Sequence, residues 1–271
     1  MVTSSLFTIV ILVMNQIEIT RQCIAYIRAL QSKPIPILII DNGSDPIYSN
    51  ELRHLGDGYI RNEQNLGVIS AMNQAWPLIQ TPFVMYMHND VLVLEKHFDE
   101  KITAVLAHIP HVGAAGFGGG YMVDCRGTRN RFTSNLLDAE VHGTRMIAPF
   151  VPSVALDGLC LIIRKELLIS LRGIAKEYTY HHFYDMDICL AAIYQGYKVV
   201  AINILHQHTG SMTSKRADYV KWLSERGMTD MELYEYNRGI FHTKWGHRGY
   251  VLVHEHHFLY HDRAGMIPMR I

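Results

Sequence analysis

The sequence has no excess of charge of either sign: 25 lysines and arginines balance 25 aspartates and glutamates, so the formal net charge is +0. A protein that binds nucleic acid through bulk electrostatics carries a basic excess, so we expect no nucleic-acid partner. Charged residues make up 18% of the chain and hydrophobic residues 49%, which excludes an intrinsically disordered protein. The 271 residues are enough to bury a sizeable core.

Cysteine is scarce and dispersed. The four cysteines form no CxxC pair, which excludes a zinc ribbon and a thioredoxin-like redox motif. Isolated cysteines in a chain of this length are typical of reduced thiols, and we therefore expect a cytoplasmic protein.

Long hydrophobic runs are also missing. The apolar run Leu6–Met14 spans about nine residues, whereas a membrane-spanning helix needs about 20. No basic residue precedes the run, so we expect neither a transmembrane segment nor a signal peptide. Peripheral attachment to a membrane surface stays open, and the sequence does not indicate the oligomeric state.

Histidine, by contrast, occurs in unusual number: the uncharged chain has 16. Because imidazole titrates near neutral pH and binds transition metals, this number indicates metal or pH chemistry. The alternative is that most histidines lie on the surface without a specific role.

Apolar strands and amphipathic helices alternate through the first third of the chain. Short β-branched runs predict buried strands at Phe7–Met14, Ile35–Ile40 and Phe83–Met87, with helices between them. This order is typical of a parallel sheet, which binds ligands beyond the carboxyl ends of its strands. The polar residues that follow these strands are Asn15, Asp41, Asn42, His88, Asn89 and Asp90. We predict that they form one site.

The second half is less regular, and we predict a single domain with a C-terminal extension. The segment Gly116–Gly120 indicates a flexible loop. The polar segment Arg126–Arg145 indicates an excursion that is either a lid or a solvated loop. Aromatic residues at helical spacing predict one helix over Ala217–Phe241, packed on the sheet or stacked on a bound ligand.

Three groups of polar residues suit catalysis, and each has a plainer structural alternative. Asp90 suits a divalent cation that bridges phosphates, or else caps the next helix. Asp185 and Asp187 precede an apolar helix, so that one is a cap and the other is free to act as a general base. His206 and His208 suit the same metal as Asp90, or else are structural or surface residues.

A further turn lies before the helix that begins near Val68. Asn65 and Gly67 shape this turn, and the helix N-terminus suits a phosphate or ribose oxygen. The alternative for each of these residues is a plain helix cap.

Taken in order, five stretches resemble the inverting, nucleotide-sugar-dependent glycosyltransferases of family 2, including the rhamnosyltransferase-like ones. These stretches are TIVILVMNQ, LIIDNGSDP, NEQNLGVISAMNQAW, MYMHNDVLV and HHFYDMDICLAAIYQGYKV. The resemblance runs from about Phe7 to Ser211. It implies an α/β protein with the GT-A fold, in which helices flank a Rossmann-like, mostly parallel central sheet and a C-terminal helical extension follows.

The resemblance also implies roles for individual residues. Asp185 would be the general base, and Asp90 would bind Mn²⁺ or Mg²⁺ together with His206 or His208. Asp41 would contact the nucleobase. The other residues implied to bind the nucleotide sugar are Asn15, Asn42, Asn65, Gly67, Asn73, His88, Asn89, Asp157 and Gly158. The sequence departs from the family pattern where His88 replaces the first acidic residue of the DxD motif and Tyr184 precedes the base.

The implied reaction moves a sugar from a UDP- or dTDP-type donor to a hydroxyl of a glycan or other acceptor, as in polysaccharide biosynthesis. Residues 1–120 would bind the donor and residues 121–215 the acceptor, with an extension over residues 216–271. Two rival functions remain. A sugar-phosphate nucleotidyltransferase needs a glycine-rich loop after its first strand, which this sequence lacks. A catalytically silent nucleotide-sugar or glycan-binding module is the other.

Overall fold

Residues 5–137, 144–209, 217–254 and 256–270 are described by the structure, a computed structural model. Their strands are β1 (Phe7–Val13), β2 (Ile37–Asn42), β3 (Gly58–Asn62), β4 (Phe83–His88), β5 (Val91–Val93), β6 (Val112–Gly116), β7 (Gly118–Asp124), β8 (Arg129–Ser134), β9 (Thr144–Arg145), β10 (Phe150–Pro152), β11 (Ala155–Leu156), β12 (Cys160–Arg164), β13 (Lys198–Ile202), β14 (His206–His208), β15 (Tyr250–Val253), β16 (Tyr260–Asp262) and β17 (Gly265–Met266). Their helices are α1 (Ile17–Leu30), α2 (Pro46–Leu52), α3 (Val68–Ala75), α4 (Phe98–His108), α5 (Lys165–Leu171), α6 (Tyr184–Tyr194), α7 (Ala217–Ser224) and α8 (Asp230–Trp245).

The central sheet has eight strands in the order β10-β13-β6-β12-β4-β1-β2-β3. The strands from β4 to β3 are parallel, as are β13 and β6, whereas β12 and β10 are antiparallel to their neighbours. The predicted mostly parallel α/β sheet is therefore confirmed. In the register, Val13 lies beside Asp41 and Leu12 beside His88, so the polar residues that follow these strands share one edge.

Alternate residues of each central strand face two separate apolar cores. Ile9 and Ile11 of β1 belong to a core that α1 and α4 cover. Val10 faces the opposite core, which contains residues of α3, α5 and α6. A sheet buried on both faces requires strands that are apolar throughout, which is why β1, β2 and β4 read as continuous hydrophobic runs.

A second sheet has the order β17-β16-β15-β7-β8-β9, and β11 also pairs with β7. The prediction of a flexible loop at Gly116–Gly120 is wrong, because most of it lies in β6 and β7. Glycine suits β7 because a Cβ on Gly118 would lie 2.7 Å from the Phe132 ring of β8. Part of the predicted excursion Arg126–Arg145 is β8, while residues 138–143 lie outside the described residues.

The C-terminal extension has two helices in place of the single helix predicted over Ala217–Phe241. α7 ends at Ser224, and Gly227 then adopts a left-handed conformation with φ of 62°. α8 starts anew because the Thr229 hydroxyl accepts from the Glu232 amide while the Glu232 carboxylate accepts from the Thr229 amide.

The remaining strands of the extension pack against the body of the protein. β15 pairs with β7 and carries β16 and β17 with it. The buried Tyr260 hydroxyl accepts from the Val199 amide over 2.9 Å, which ties the extension to β13 of the central sheet. Within the described ranges, no helix is both long and apolar enough to cross a membrane.

Candidate active site

A cleft of ≈ 490 Å³ opens at the carboxyl edge of β1, β2 and β4. Its far wall comes from the turn before β12 and from the loop that leads into α6. Eight residues expected in the site line it: Asn42, Asn65, His88, Asn89, Asp90, Asp157, Gly158 and Asp185. Residues from distant parts of the sequence therefore meet around one cavity.

Asp90 is a buried carboxylate whose two oxygens have no hydrogen-bond partner among the described residues. His208 Nε2 lies 3.3 Å from Asp90 Oδ1, and His88 Nδ1 lies 3.9 Å from the same oxygen. The pairing of β14 with β5 brings His208 opposite Val91, next to Asp90. Asp90 raises the pKa of His208 above its ordinary value. Two imidazoles thus converge on one desolvated carboxylate, a donor set that suits a divalent cation.

His206 lies elsewhere, although the sequence did not separate it from His208. Its Nδ1 contacts the carbonyl oxygen of Ile204 at 2.7 Å, and its ring lies 5.3 Å from that of Phe117. Both His206 and His208 line a second cavity of ≈ 240 Å³ beside the cleft, but only His208 reaches Asp90. His206 and His208 are two positions apart in β14, which separates their backbones by roughly 6.6 Å. The two histidines therefore cannot both lie beside Asp90.

Asp185 lies in the first turn of α6 and faces the cleft. Its Oδ1 accepts from the Met186 amide over 2.9 Å, and Arg129 lies 3.6 Å from its Oδ2. Burial, and then the charge of Asp157, raise the pKa of Asp185 above its ordinary value, while Arg129 opposes this change. Gly158 lies beside it: a Cβ there would lie in ordinary contact with Asp185 Oδ2 at 3.5 Å but only 2.8 Å from the Tyr184 hydroxyl. The result is a buried carboxylate with unused acceptor capacity and raised basicity.

Asp187, two residues further along, has a different environment. Tyr178 donates to its Oδ1 over 3.0 Å and Trp245 over 2.7 Å, and Lys244 donates to its Oδ2 over 3.0 Å. Its carboxylate anchors the end of α8 on α6. Asp187 does not line the cleft.

The Asn42 and Asn65 side chains form an amide network on the donor side of the cleft. Asn42 donates to Asn65 Oδ1 over 2.9 Å, and Asn65 donates to the Tyr180 hydroxyl over 2.8 Å. Gly67 completes the turn with φ of 79°, where a Cβ would lie 3.1 Å from Tyr180 Cα. This network joins the ends of β1 and β2 to the loop before α6.

Four residues expected to bind the donor lie outside the cleft lining: Asn15, Asp41, Gly67 and Asn73. Asp41 accepts from Ser49 over 2.5 Å and from Tyr59 and Arg61 over 2.7 Å each. Although burial raises the pKa of Asp41, its hydrogen bonds hold that pKa below the ordinary value. Its contact with a nucleobase stays a prediction, and in the structure it fixes the end of β2.

Asn15 and Asn73 are similarly occupied by the protein. Asn15 Oδ1 accepts from the Asp45 amide over 2.7 Å, and Asn73 brackets the Ile174 backbone with bonds of 2.8 and 2.9 Å. Asn89, which does line the cleft, donates to Thr20 over 2.9 Å. These side chains therefore hold the loops around the cleft in place.

A second polar cluster on the cleft wall contains His181, His182 and Asp230. Burial, followed by the neighbouring His182, lowers the pKa of His181 to about 3. Both histidines lie in the stretch HHFYDMDICLAAIYQGYKV that also contains Asp185, whereas Asp230 lies far along the chain. That residue comes from α8, and no local pattern links it to the loop before α6.

Residues 8–168, more than half of the chain, match the family model described as glycosyl transferase family 2. The chain belongs to glycosyl transferase family 2. It is therefore a glycosyltransferase, and membership supports glycosyl transfer from a nucleotide sugar. The family identified from the five sequence stretches is confirmed.

Solved structures with a similar fold are glycosyltransferases as well. A mannosyltransferase, PcManGT from Pyrobaculum calidifontis in complex with GDP-Man and Mn²⁺, has a TM-score of 0.55 over 90% of this chain and 70% of its own. GalNAc-T7 with UDP, GalNAc and Mn²⁺ has a TM-score of 0.60 over 74% of this chain and 42% of its own. TarS 1-349 of S. aureus has a TM-score of 0.52 over 85% of this chain and 68% of its own.

Each of these neighbours is 13% identical to the chain, so the likeness shows the GT-A fold alone. The chain spans less than half of the GalNAc-T7 chain. None of the curated proteins matches the chain in sequence.

Proposed function

We propose that the protein is a metal-assisted inverting glycosyltransferase that moves a sugar from a UDP- or dTDP-type donor to a hydroxyl of a glycan or other acceptor. One observation carries the proposal: the same cleft holds the Asp90 carboxylate, whose oxygens accept no hydrogen bond among the described residues, and the more basic carboxylate of Asp185. The Asp90 carboxylate suits a cation, and the Asp185 carboxylate suits the proton of an acceptor hydroxyl.

Asp90 and His208, with His88 beside them, are the residues that would hold the cation, and His206 remains the alternative histidine. The fit rests on unfilled hydrogen-bonding capacity: both Asp90 oxygens and His208 Nε2 are buried without a hydrogen bond, and Asp90 Oδ1 and His208 Nε2 contact each other only as an ion pair at 3.3 Å. Burying such groups is costly unless something pairs with them. Imidazole departs from the all-oxygen shell typical of Mg²⁺, which favours Mn²⁺. When bound, the cation supplies the positive charge that stabilises the leaving diphosphate.

Asp185 takes the proton of the acceptor hydroxyl in this proposal. Its raised pKa makes it a stronger base than an ordinary aspartate, and the charge of Arg129 limits that rise. The hydroxyl then attacks the anomeric carbon from the face opposite the leaving diphosphate, which inverts the configuration. Asp187 is a poor candidate for this role, because Tyr178 and Lys244 occupy its oxygens.

The proposed organisation follows the cleft walls within a single domain. Residues 1–120 supply the donor side, residues 121–215 supply Asp185 and the acceptor side, and residues 216–271 form the extension. The GDP-Man and UDP complexes of the structural neighbours support a nucleotide-sugar donor. We also propose a cytoplasmic location, with peripheral membrane attachment left open. All four cysteines lie in described segments and are free thiols, as a reducing compartment favours.

The test is a screen of nucleotide sugars by thermal shift and by donor hydrolysis, with and without Mn²⁺. We expect one donor to raise the melting temperature in the presence of Mn²⁺ and to be hydrolysed slowly. Once an acceptor is found, NMR of the product should show an anomeric configuration opposite to that of the donor. Binding without turnover would favour the catalytically silent module, and retention of configuration would refute the inverting mechanism.

A further inference from the structure

The His181, His182 and Asp230 cluster lies on the cleft wall apart from Asp90 and has no role in the transfer described above. His181 Nε2 lies 2.7 Å from His182 Nε2, and Asp230 Oδ1 lies 3.8 and 3.6 Å from these two nitrogens. Three potential ligand atoms from two separate segments therefore converge on one point.

The backbone that presents the two histidines has an unusual conformation. Tyr180, His182 and Phe183 have φ values of 62°, 72° and 64°, in the left-handed region that bulky residues rarely adopt. Such strain persists where surrounding contacts enforce it, and it concentrates at ligand sites. Here Asn237 of α8 enforces it by donating to the Thr179 and His181 carbonyl oxygens over 2.8 and 2.5 Å.

We propose that His181, His182 and Asp230 bind a second divalent cation of the Zn²⁺ type. Two imidazoles and one carboxylate suit zinc better than the oxygen-preferring Mg²⁺. Ligand atoms about 2.0–2.2 Å from a tetrahedral zinc lie roughly 3.3–3.6 Å from one another. Of the three observed separations, 2.7 Å lies below that range, 3.6 Å at its upper limit and 3.8 Å just above it. Small side-chain rotations would therefore complete the site.

The electrostatics of the cluster agree with this donor set. A metal binds neutral imidazole, and both histidines have pKa values lowered by burial. Asp230 supplies one negative charge, and the Tyr219 hydroxyl donates to its Oδ1. A hydrogen bond of this kind, from a residue behind the ligand, orients a ligating carboxylate.

The position of the site gives it two consequences. It joins the loop before α6 to the start of α8, so a bound cation would fasten the C-terminal extension to the cleft. A three-ligand zinc site also leaves a fourth position free. Because all three residues line the cleft, that position is open to a water or a substrate oxygen.

Zinc titration of the metal-stripped full chain, followed by calorimetry, tests the proposal without depending on transfer activity. Wild type should bind one equivalent of Zn²⁺ at this site, and His182→Ala should lose that equivalent. Asp90→Ala should keep it, and the double variant should lose both it and any equivalent held at Asp90. His254→Ala, which alters a histidine outside the cleft lining, is the matched control and should behave as wild type.

Asp230→Asn provides a second variant, because its side chain is 46% exposed and the change keeps its shape. It should weaken zinc binding by about tenfold or more while circular dichroism stays unchanged. The cobalt-loaded protein should show visible absorption bands that His182→Ala and Asp230→Asn lose and Asp90→Ala retains. The proposal is refuted if His182→Ala and Asp230→Asn both keep every zinc equivalent of wild type. In that case His181 and His182 would only be hydrogen-bonded to each other. The proposal is also refuted if wild type binds a single zinc equivalent that only Asp90→Ala removes.

Discussion

Asp185 and Asp187 lie two positions apart in α6, yet their replacement should have opposite effects. Asp187 accepts from three side chains, Tyr178, Trp245 and Lys244, whereas Asp185 accepts from one backbone amide and faces the cleft. Removing the Asp187 carboxylate should therefore lower stability, and neutralising the Asp185 carboxylate should lower the rate of transfer.

The cost of Asp187→Ala follows from the donors that lose their acceptor. The Tyr178 hydroxyl and the Trp245 indole N–H lose bonds of 3.0 and 2.7 Å. Lys244 is 35% exposed and can recover water. Each of the two buried donors left unpaired costs about 1–3 kcal/mol, so we expect a loss of roughly 2–6 kcal/mol in the free energy of unfolding. The melting temperature should fall by roughly 4–24 °C.

Asp185→Asn should behave differently because the amide keeps the shape and the acceptor oxygen. It still accepts from the Met186 amide and loses the 3.6 Å ion pair with Arg129. Stability should change by no more than about 1 kcal/mol. Loss of a general base should lower kcat by about 10²–10⁴-fold while donor affinity stays close to that of wild type.

Calorimetry, donor binding and initial transfer rates on the two variants check both halves of this prediction. Glu166→Gln, at a carboxylate with 75% exposure, is the matched control and should leave all three unchanged. An Asp185→Asn variant that keeps more than about a tenth of the rate would refute the base assignment. An unaltered melting temperature in Asp187→Ala would refute the anchoring role.

Three further predictions concern the cleft. Transfer requires ionised Asp185, whose pKa is raised by burial, so the rate should fall at low pH through an inflection above that of an ordinary aspartate. Arg129→Gln removes the opposing charge and should move this inflection of the kcat/KM profile to higher pH; a shift to lower pH would contradict the reasoning. Mn²⁺ at 100 times its Kd should stabilise wild type by about 2.7 kcal/mol, and Asp90→Ala should lose this gain in a thermal-shift assay. Gly158→Ala places a Cβ 2.8 Å from the Tyr184 hydroxyl and 3.5 Å from Asp185 Oδ2, so kcat should fall by about 10–100-fold without loss of fold.

Local periodicity was enough to predict the central strands. The run from Phe7 is buried on both faces of the sheet, and such a strand is apolar at every position. The same reasoning failed at Gly118–Asp124, because a strand that needs glycine for close approach to its neighbours resembles a loop in sequence. The break between α7 and α8 falls between Trp222 and Tyr234, where the chain has no aromatic residue, so the aromatic pattern contains no signal for it.

The α/β class, the family and the edge of the sheet at which polar residues gather were predictable, because they depend on patterns within short segments. Which of those residues are available for chemistry depends on the tertiary fold. His208 rather than His206 lies beside Asp90 because β14 pairs with β5 in one register. Asp185 keeps acceptor capacity toward the cleft whereas Asp187 is held by side chains, because α8 donates to Asp187 and not to Asp185. Availability depends on donors that are distant in the chain, and no local pattern encodes where those donors will lie.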